Sequence, residues 1–266
     1  MIEVRPLNEH IGAEVRGVDL REPLDPATRE QLNSALLEHL VLVLPAQELT
    51  AEQYRDALAQ FGKPMRQHRE RYNLPDCPDV SIVTNQGGFG RAEMWHTDHT
   101  NHERPPKLTV LHARALPDRG GDTWFANMYK GLEALSSSQQ DQLRSLWTIN
   151  DMEDNPGYSA ADRQRYKGGA RHPMIRTHDE TGRPSLYFHV TKSQRIEGMA
   201  DTEVRPFLEG LLDQAVQPDW VYKHRWRVGD VVICDNRCAM HRVDANYPDD
   251  QLRLLWRVII EGERPH

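Results

Sequence analysis

The sequence predicts a mainly β chain with flanking helices, an α+β protein whose centre is a sandwich or jelly roll. Three observations predict it. Short β-rich runs recur from residue 80 onward, at 80–83, 108–111, 185–188, 231–234 and 254–260. Turn-forming stretches such as Pro117-Asp118-Arg119-Gly120-Gly121-Asp122 separate them, where alternating βαβ units would show regular helices. Seventeen prolines favour turns over long helices.

The elements follow in order. Ile2, Val4, Ala13, Val15 and Val18 alternate with polar residues, as in short strands broken at Gly12 and Gly17. Asp25 caps a first helix that has Pro26 in its first turn and Leu32, Leu36, Leu37 and Leu40 along one side. Residues 41–44, Val-Leu-Val-Leu, read as a buried strand ending at Pro45. Thr50 caps a second helix, with Gln53 as its capping-box partner, Leu58 and Phe61 on its apolar face and Gly62 as its stop. Two more helical stretches, near 130–147 and 202–215, pack outside the strands.

A chain of 266 residues has room for one sizeable core, and residues 1–266 are expected to form a single domain. A formal net charge of -7 argues against a nucleic-acid or anionic-membrane partner, though not against a local basic pocket. No apolar run approaches the roughly 20 residues of a membrane span. Met1-Ile2-Glu3-Val4-Arg5 opens no apolar signal core, so a cytoplasmic protein is expected. Cys77, Cys234 and Cys238 are too few and too scattered for a disulfide framework or a zinc site, and read as reduced thiols.

The densest chemistry is Trp95-His96-Thr97-Asp98-His99-Thr100. On a strand, His96 and Asp98 point to one face and His99 to the other. An imidazole and a carboxylate on one side can share a metal, and one further histidine would complete a two-histidine, one-carboxylate set that favours iron(II) oxygen chemistry. Taken alone, His-x-Asp is also compatible with a hydrogen-bonded structural histidine, or with zinc held through His96 and His99. Candidates for the third ligand are His68, His189, His224 and His241. Lys223, Arg225 and Arg227 surround His224 and oppose a cation. His241 follows the apolar run 231–234 and a short turn, where rigid structure aims a side chain, and is favoured.

Leu252-Arg253-Leu254-Leu255-Trp256-Arg257-Val258-Ile259-Ile260 alternates, with Arg253 and Arg257 on one face. A buried arginine is costly unless an anion pairs with it, and guanidinium suits carboxylates. Four strand positions separate the two by roughly 13 Å, which favours two anions over one. Pairing with the protein's own Asp or Glu is the competing explanation.

Together these residues resemble the taurine dioxygenase and dichlorophenoxyacetate dioxygenase family of iron(II)/2-oxoglutarate enzymes. The resemblance spans nearly the whole chain. It runs from Gly12-Ala13-Glu14-Val15-Arg16-Gly17-Val18-Asp19-Leu20 through Trp95-His96-Thr97-Asp98, Pro105-Pro106 and Gly120-Gly121-Asp122-Thr123. It continues with Val228-Gly229-Asp230, Asp235-Asn236-Arg237, His241 and the Arg253/Arg257 pair. It implies a double-stranded β-helix (jelly roll) core and iron(II) held by His96, Asp98 and His241. It implies that Thr123 and Arg253 bind the distal carboxylate of 2-oxoglutarate, and that Arg257 grips an acidic group of the substrate. His68, Arg69 and Tyr72 fall where relatives place substrate residues, although a solvated charged loop explains them equally.

The activity so implied is hydroxylation of a small carboxylate or sulfonate substrate. O2 is consumed, succinate and carbon dioxide are released, and a C–O, C–S or C–N bond can break in the hydroxylated product. Relatives imply a homodimer or homotetramer. The alternative from another class is a non-catalytic cupin-like module that binds a small acid or a metal. A halogenase is opposed by Asp98, since chloride would need that position vacant.

Overall fold

The computed structural model describes residues 2–67, 70–87, 92–152, 159–165 and 167–266, without the side chains of residues 162 and 165. The chain opens with β1 (Glu3–Pro6), β2 (Ala13–Arg16), α1 (Pro26–His39), β3 (Val41–Leu44), α2 (Ala51–Ala59), β4 (Pro64–Met65) and β5 (Ser81–Thr84). Next come β6 (Leu108–Ala115), β7 (Thr123–Asn127), α3 (Met128–Glu133), α4 (Ser137–Arg144), β8 (Trp147–Asn150) and α5 (Ala160–Arg165). The remainder is β9 (Ala170–Pro173), β10 (Ile175–Thr177), β11 (Pro184–Leu186), β12 (Ser193–Ile196), α6 (Asp201–Ala215), β13 (Val221–His224), β14 (Val231–Asp235), β15 (Ala239–Val243) and β16 (Leu254–Ile260).

Local signals decide the helix ends. The Asp25 carboxylate accepts from Ala27 N and Thr28 N at 3.0 Å each, with Pro26 opening α1. Thr50 and Gln53 form the expected capping box. The stretch foreseen as one helix over 130–147 is instead two short helices and the start of a strand. Ser136 forms a second capping box there with Gln139, restarting the helix as α4, and Trp147 already pairs with Pro173.

Two sheets face each other as in a jelly roll. The larger has the order β1-β2-β3-β14-β6-β16-β4, with β5 also pairing β16; the smaller is β13-β7-β15. Period-two alternation divides the side chains between layers. In β14, Val231 and Ile233 join Leu32, Leu36, Tyr54 and Leu58 of α1 and α2 in a helix-on-sheet core. Val232 and Cys234 face inward, in one cluster with Phe125 of β7 and Ala239 of β15. Behind the smaller sheet, Ala126 and Met240 pack on α3 and α6 through Leu132, Val204, Leu208 and Leu211. Tyr54 is fully buried, and its hydroxyl donates to Val110 O at 2.8 Å, so helix and sheet are tied by a polar as well as an apolar contact. No helix among the described residues is long and apolar enough to cross a membrane.

Candidate active site

Because Met240 faces the helical layer, its neighbours Ala239 and His241 face the opposing sheet. His241 lies across from Phe125 in the β15–β7 ladder. The segment carrying His96 runs beside β15 without being a regular strand. A single reciprocal pair joins them: His96 N donates to His241 O at 3.0 Å, and His241 N donates to His96 O at 2.9 Å. The chain then turns, with His99 in the left-handed region at φ 51°. The expected strand is thus a bridge followed by a turn, and His96 and Asp98 still converge. His96 Nε2 is 3.8 Å from Asp98 Oδ1, and candidate ligand atoms of His96, Asp98 and His241 all lie within 4.8 Å of one another.

The donors are in the protonation states a divalent metal needs. His96 Nδ1 lies 2.8 Å from Met94 O, which can only accept, so that nitrogen carries the proton and Nε2 keeps its lone pair. Nδ1 of His241 is buried with no hydrogen-bond partner among the described residues. Burial holds the His96 imidazole below the usual histidine value and pulls His241 down to about 3. Burial alone would raise the Asp98 carboxyl, yet Arg257 beside it holds the group well below the carboxylate range. Arg257 Nη1 is 3.7 Å from Asp98 Oδ2. The Thr109 hydroxyl donates to the same oxygen at 2.7 Å, and Asn236 Nδ2 donates to the Thr109 oxygen at 2.8 Å. Oδ2 is therefore engaged by the protein, while Oδ1 faces the histidines. Two neutral imidazoles and one carboxylate oxygen fit iron(II).

A second cluster, His178, Asp235 and Cys238, is equally compact and has little to give a metal. His178 Nδ1 accepts from Glu180 N and Thr181 N, so its proton sits on Nε2, which donates to Asp235 Oδ2 at 3.1 Å. Arg237 closes the Asp235 carboxylate from the other side at 2.7 and 2.9 Å. That network is a satisfied buried ion pair.

Arg253 and Arg257 both line the cavity that contains His96, Asp98 and His241. Arg253 just precedes β16, where β6 carries a bulge opposite Leu254 and Leu255. Its Nε donates to Gly121 O at 2.9 Å and its Nη2 to Thr123 Oγ1 at 3.4 Å. No carboxylate of the described residues forms an ion pair with it, and burial lowers its guanidinium to about 10. Gly121 is required on two counts: φ is +75°, and an added Cβ would come within 2.9 Å of Arg253 Nε. Thr123 faces the cavity because alternation in β7 puts it on the side of Phe125.

The other anticipated residues fall elsewhere. Tyr72 is buried in a 3₁₀ turn, Glu70–Tyr72, with Arg71 stacked 5.0 Å over its ring, and is not among the described lining residues. His68 and Arg69 lie outside the described residues. His189 stands 5.8 Å from His96, ring to ring, with its Nδ1 accepting from the Thr191 and Lys192 backbone. His224 belongs to a different group, between the Tyr222 hydroxyl at 3.0 Å and Asp230 at 3.2 Å. Sequence reasoning missed Thr109, Asn236 and Trp226, whose indole N–H donates to Thr123 Oγ1 at 2.9 Å. A threonine inside the apolar run 108–111 was the available signal, since buried polar groups need partners.

Two sheets that enclose a pair of neutral imidazoles and a carboxylate, with an arginine kept dry in the same cavity, are built as non-haem iron oxygenases are built. The chain belongs to the taurine catabolism dioxygenase TauD, TfdA family, whose model matches residues 3–259. It is 30% identical over 264 residues to the alpha-ketoglutarate-dependent 2,4-dichlorophenoxyacetate dioxygenase of Cupriavidus pinatubonensis, covering 91% of each chain. It is 30% identical to the alpha-ketoglutarate-dependent sulfate ester dioxygenase of Pseudomonas putida, over 99% of this chain and 91% of that one. Among solved structures, AAD-2 in complex with Mn(II) and N-oxalylglycine superposes with a TM-score of 0.87 at 30% identity, covering 100% of this chain and 99% of that one. The double-stranded β-helix expectation is met.

Proposed function

We propose that this chain is an iron(II)- and 2-oxoglutarate-dependent dioxygenase that hydroxylates a small anionic substrate, with His96, Asp98 and His241 as the metal ligands. The observation that carries this is the convergence of those three side chains within 4.8 Å in a cavity shared with Arg253. Bound iron(II) supplies the oxygen chemistry, in which 2-oxoglutarate and O2 are consumed and succinate and carbon dioxide are released. The protein's own part is placement. Arg253 and the Thr123 hydroxyl hold the distal carboxylate of 2-oxoglutarate through charge-assisted hydrogen bonds. Arg257 serves the substrate's carboxylate, sulfonate or sulfate group from the metal's flank. Thr109 and Asn236 keep Asp98 turned so that one oxygen is offered to the metal. A C–O, C–S or C–N bond breaks when the hydroxylated carbon bears such a heteroatom. His68, Arg69 and Tyr72 remain proposed substrate contacts.

Residues 1–266 are proposed to form one catalytic domain in the cytoplasm, as a homodimer or homotetramer. Three buried cysteines that form no disulfide support a reducing compartment.

Anaerobic addition of iron(II) and then 2-oxoglutarate tests the reading through the visible charge-transfer band of the chelate. Succinate release is then screened across aryloxy acids, sulfonates, amino acids and sulfate esters. A band and succinate are expected. Tight binding of both without succinate from any substrate would instead make this a non-catalytic cupin-like module. Loss of the band in His96→Ala and Asp98→Ala checks the ligands, and near-normal turnover in either variant would overturn the assignment.

A further inference from the structure

We infer that Trp226 is a positioning residue for the cosubstrate: its indole N–H fixes the Thr123 hydroxyl as a hydrogen-bond donor toward the distal carboxylate of 2-oxoglutarate. The inference rests on the reading above, in which Thr123 and Arg253 hold that carboxylate.

A threonine hydroxyl has one proton and two lone pairs. Left to itself it rotates, and can donate or accept as its surroundings ask. At Thr123 both neighbours aimed at the oxygen are donors with no acceptor capacity: the Trp226 indole at 2.9 Å and the Arg253 guanidinium at 3.4 Å. Together they fill the two lone pairs. The Thr123 proton is then directed away from them, and it finds no acceptor among the described residues. An acceptor brought by a ligand is what the arrangement lacks, and a carboxylate is the group that accepts without donating. Arg253 is set in the same sense, because Gly121 O takes its Nε proton and leaves guanidinium protons on the far side.

Trp226 is itself held from several sides. It packs against the inward cluster with Phe125 and against the small cluster of Leu111, Ala113 and Leu255. The His224 ring meets it edge to face at 4.6 Å, and the Tyr222 hydroxyl holds His224 Nδ1 at 3.0 Å. The indole therefore presents its N–H without a rotamer search. Selectivity for a dicarboxylic keto acid over a monocarboxylic one is the consequence. Trp226 is not among the described residues that line the cavity, and it acts through Thr123, which is.

The experiment uses the full chain loaded anaerobically with iron(II). Two keto acids of equal length are titrated by the charge-transfer band: 2-oxoglutarate, and 2-oxopentanoate, which has a methyl in place of the distal carboxylate. Trp226→Phe keeps an aromatic ring and removes the N–H. It should weaken 2-oxoglutarate roughly tenfold, the scale of one hydrogen bond to a charged-ligand site. It should leave 2-oxopentanoate and the metal affinity unchanged. In turnover, KM for 2-oxoglutarate rises while kcat at saturation holds. Combined with Thr123→Val, which alone weakens 2-oxoglutarate, the Trp226 change should add no further loss. Equal weakening of both keto acids, unchanged 2-oxoglutarate affinity, or additive losses would each overturn the role. Should Trp226→Phe fail to fold, the Trp226 indole N–H resonance of the unaltered zinc-loaded protein decides. It should shift with 2-oxoglutarate and not with 2-oxopentanoate, and an unmoved resonance overturns the inference. Absence of any charge-transfer band in the unaltered enzyme would instead sink the underlying functional reading.

Discussion

The Thr109 hydroxyl donates to Oδ2 of Asp98 at 2.7 Å, and the proton's direction is set because Asn236 Nδ2 donates to the Thr109 oxygen from behind. One carboxylate oxygen is thereby spoken for by the protein. Thr109→Val removes that bond at nearly constant volume and frees the carboxylate to rotate. Partners of metal ligands are typically worth about 10- to 100-fold in affinity. Thr109→Val should therefore weaken iron(II) or manganese(II) binding by about tenfold or more, while Thr109→Ser retains it. Isothermal titration with manganese(II) measures both, and equal affinities in the two variants would refute the role.

The two cavity arginines should separate by ligand. Arg253→Ala strips the dry end of the cavity of its cation, and 2-oxoglutarate affinity should fall by about 100-fold, since removing one partner of a buried charge pair costs ~2–5 kcal/mol. Arg257→Ala should spare substrate-independent 2-oxoglutarate turnover more than substrate oxidation. Titration of each variant with 2-oxoglutarate, followed by coupled succinate assays, gives the ratio. If Arg257→Ala abolishes 2-oxoglutarate binding while substrate binding survives, the roles are exchanged.

His112 makes stability depend on pH. It is buried beside Tyr54 and Trp256, with its Nε2 proton donated to Gln47 O at 2.9 Å, and burial pulls its value down to about 4. An unfolded histidine titrates near 6.5. Above about pH 6.5 neither state takes the proton, so the stability is fully present. Between about 6.5 and 4 the unfolded chain binds a proton that the folded chain refuses, and stability falls as pH falls, by up to about 1.4 kcal/mol per unit. Metal-free protein should melt lower at pH 5 than at pH 7.5, and His112→Gln should reduce that difference. An unchanged slope in the variant would remove His112 from the account.

Much of this was legible in local sequence, where the deciding contacts are a few residues long. Asp25 with Pro26, and Thr50 with Gln53, announce helix starts because capping needs only the first turn. The unbroken apolar run Val231-Val232-Ile233-Cys234 announces a strand. His96, Asp98 and Arg253 could be named because their chemistry is costly without a partner. The layer that holds them was not legible. β7 and β15 interrupt their apolar positions with Thr123, Asn127, His241 and Arg242, and their pairing joins residues over a hundred positions apart. The Thr109–Asp98 and Trp226–Thr123 bonds exist only once the sheets have closed on each other, so neither residue stands out in the linear chain.

The buried ion pair at Asp235 yields a contrast with the metal centre. Arg237→Ala leaves a carboxylate with no accessible surface held only by His178 and by the backbone N–H of residue 237, with no cation to balance it, and should destabilise the protein by ~3–5 kcal/mol in urea unfolding. Because His178 and Asp235 are engaged by protein partners and burial holds the Cys238 thiol well above its ordinary value, hence protonated, elemental analysis of the iron-loaded protein should find one metal per chain. Two per chain would show that the second cluster binds.

The reciprocal backbone bonds between His96 and His241 bear on when the enzyme comes into being during its own synthesis. Two of the three proposed ligands are in the chain once residue 98 is made. The third, and the strand that stitches the first in place, arrive only when β15 has emerged. A nascent chain ending before residue 239 therefore carries a loose His-Asp pair with weak hold on any cation. Capture by all three proposed ligands thus needs a chain that extends through β15, so the order of synthesis places metal loading late in the making of the polypeptide.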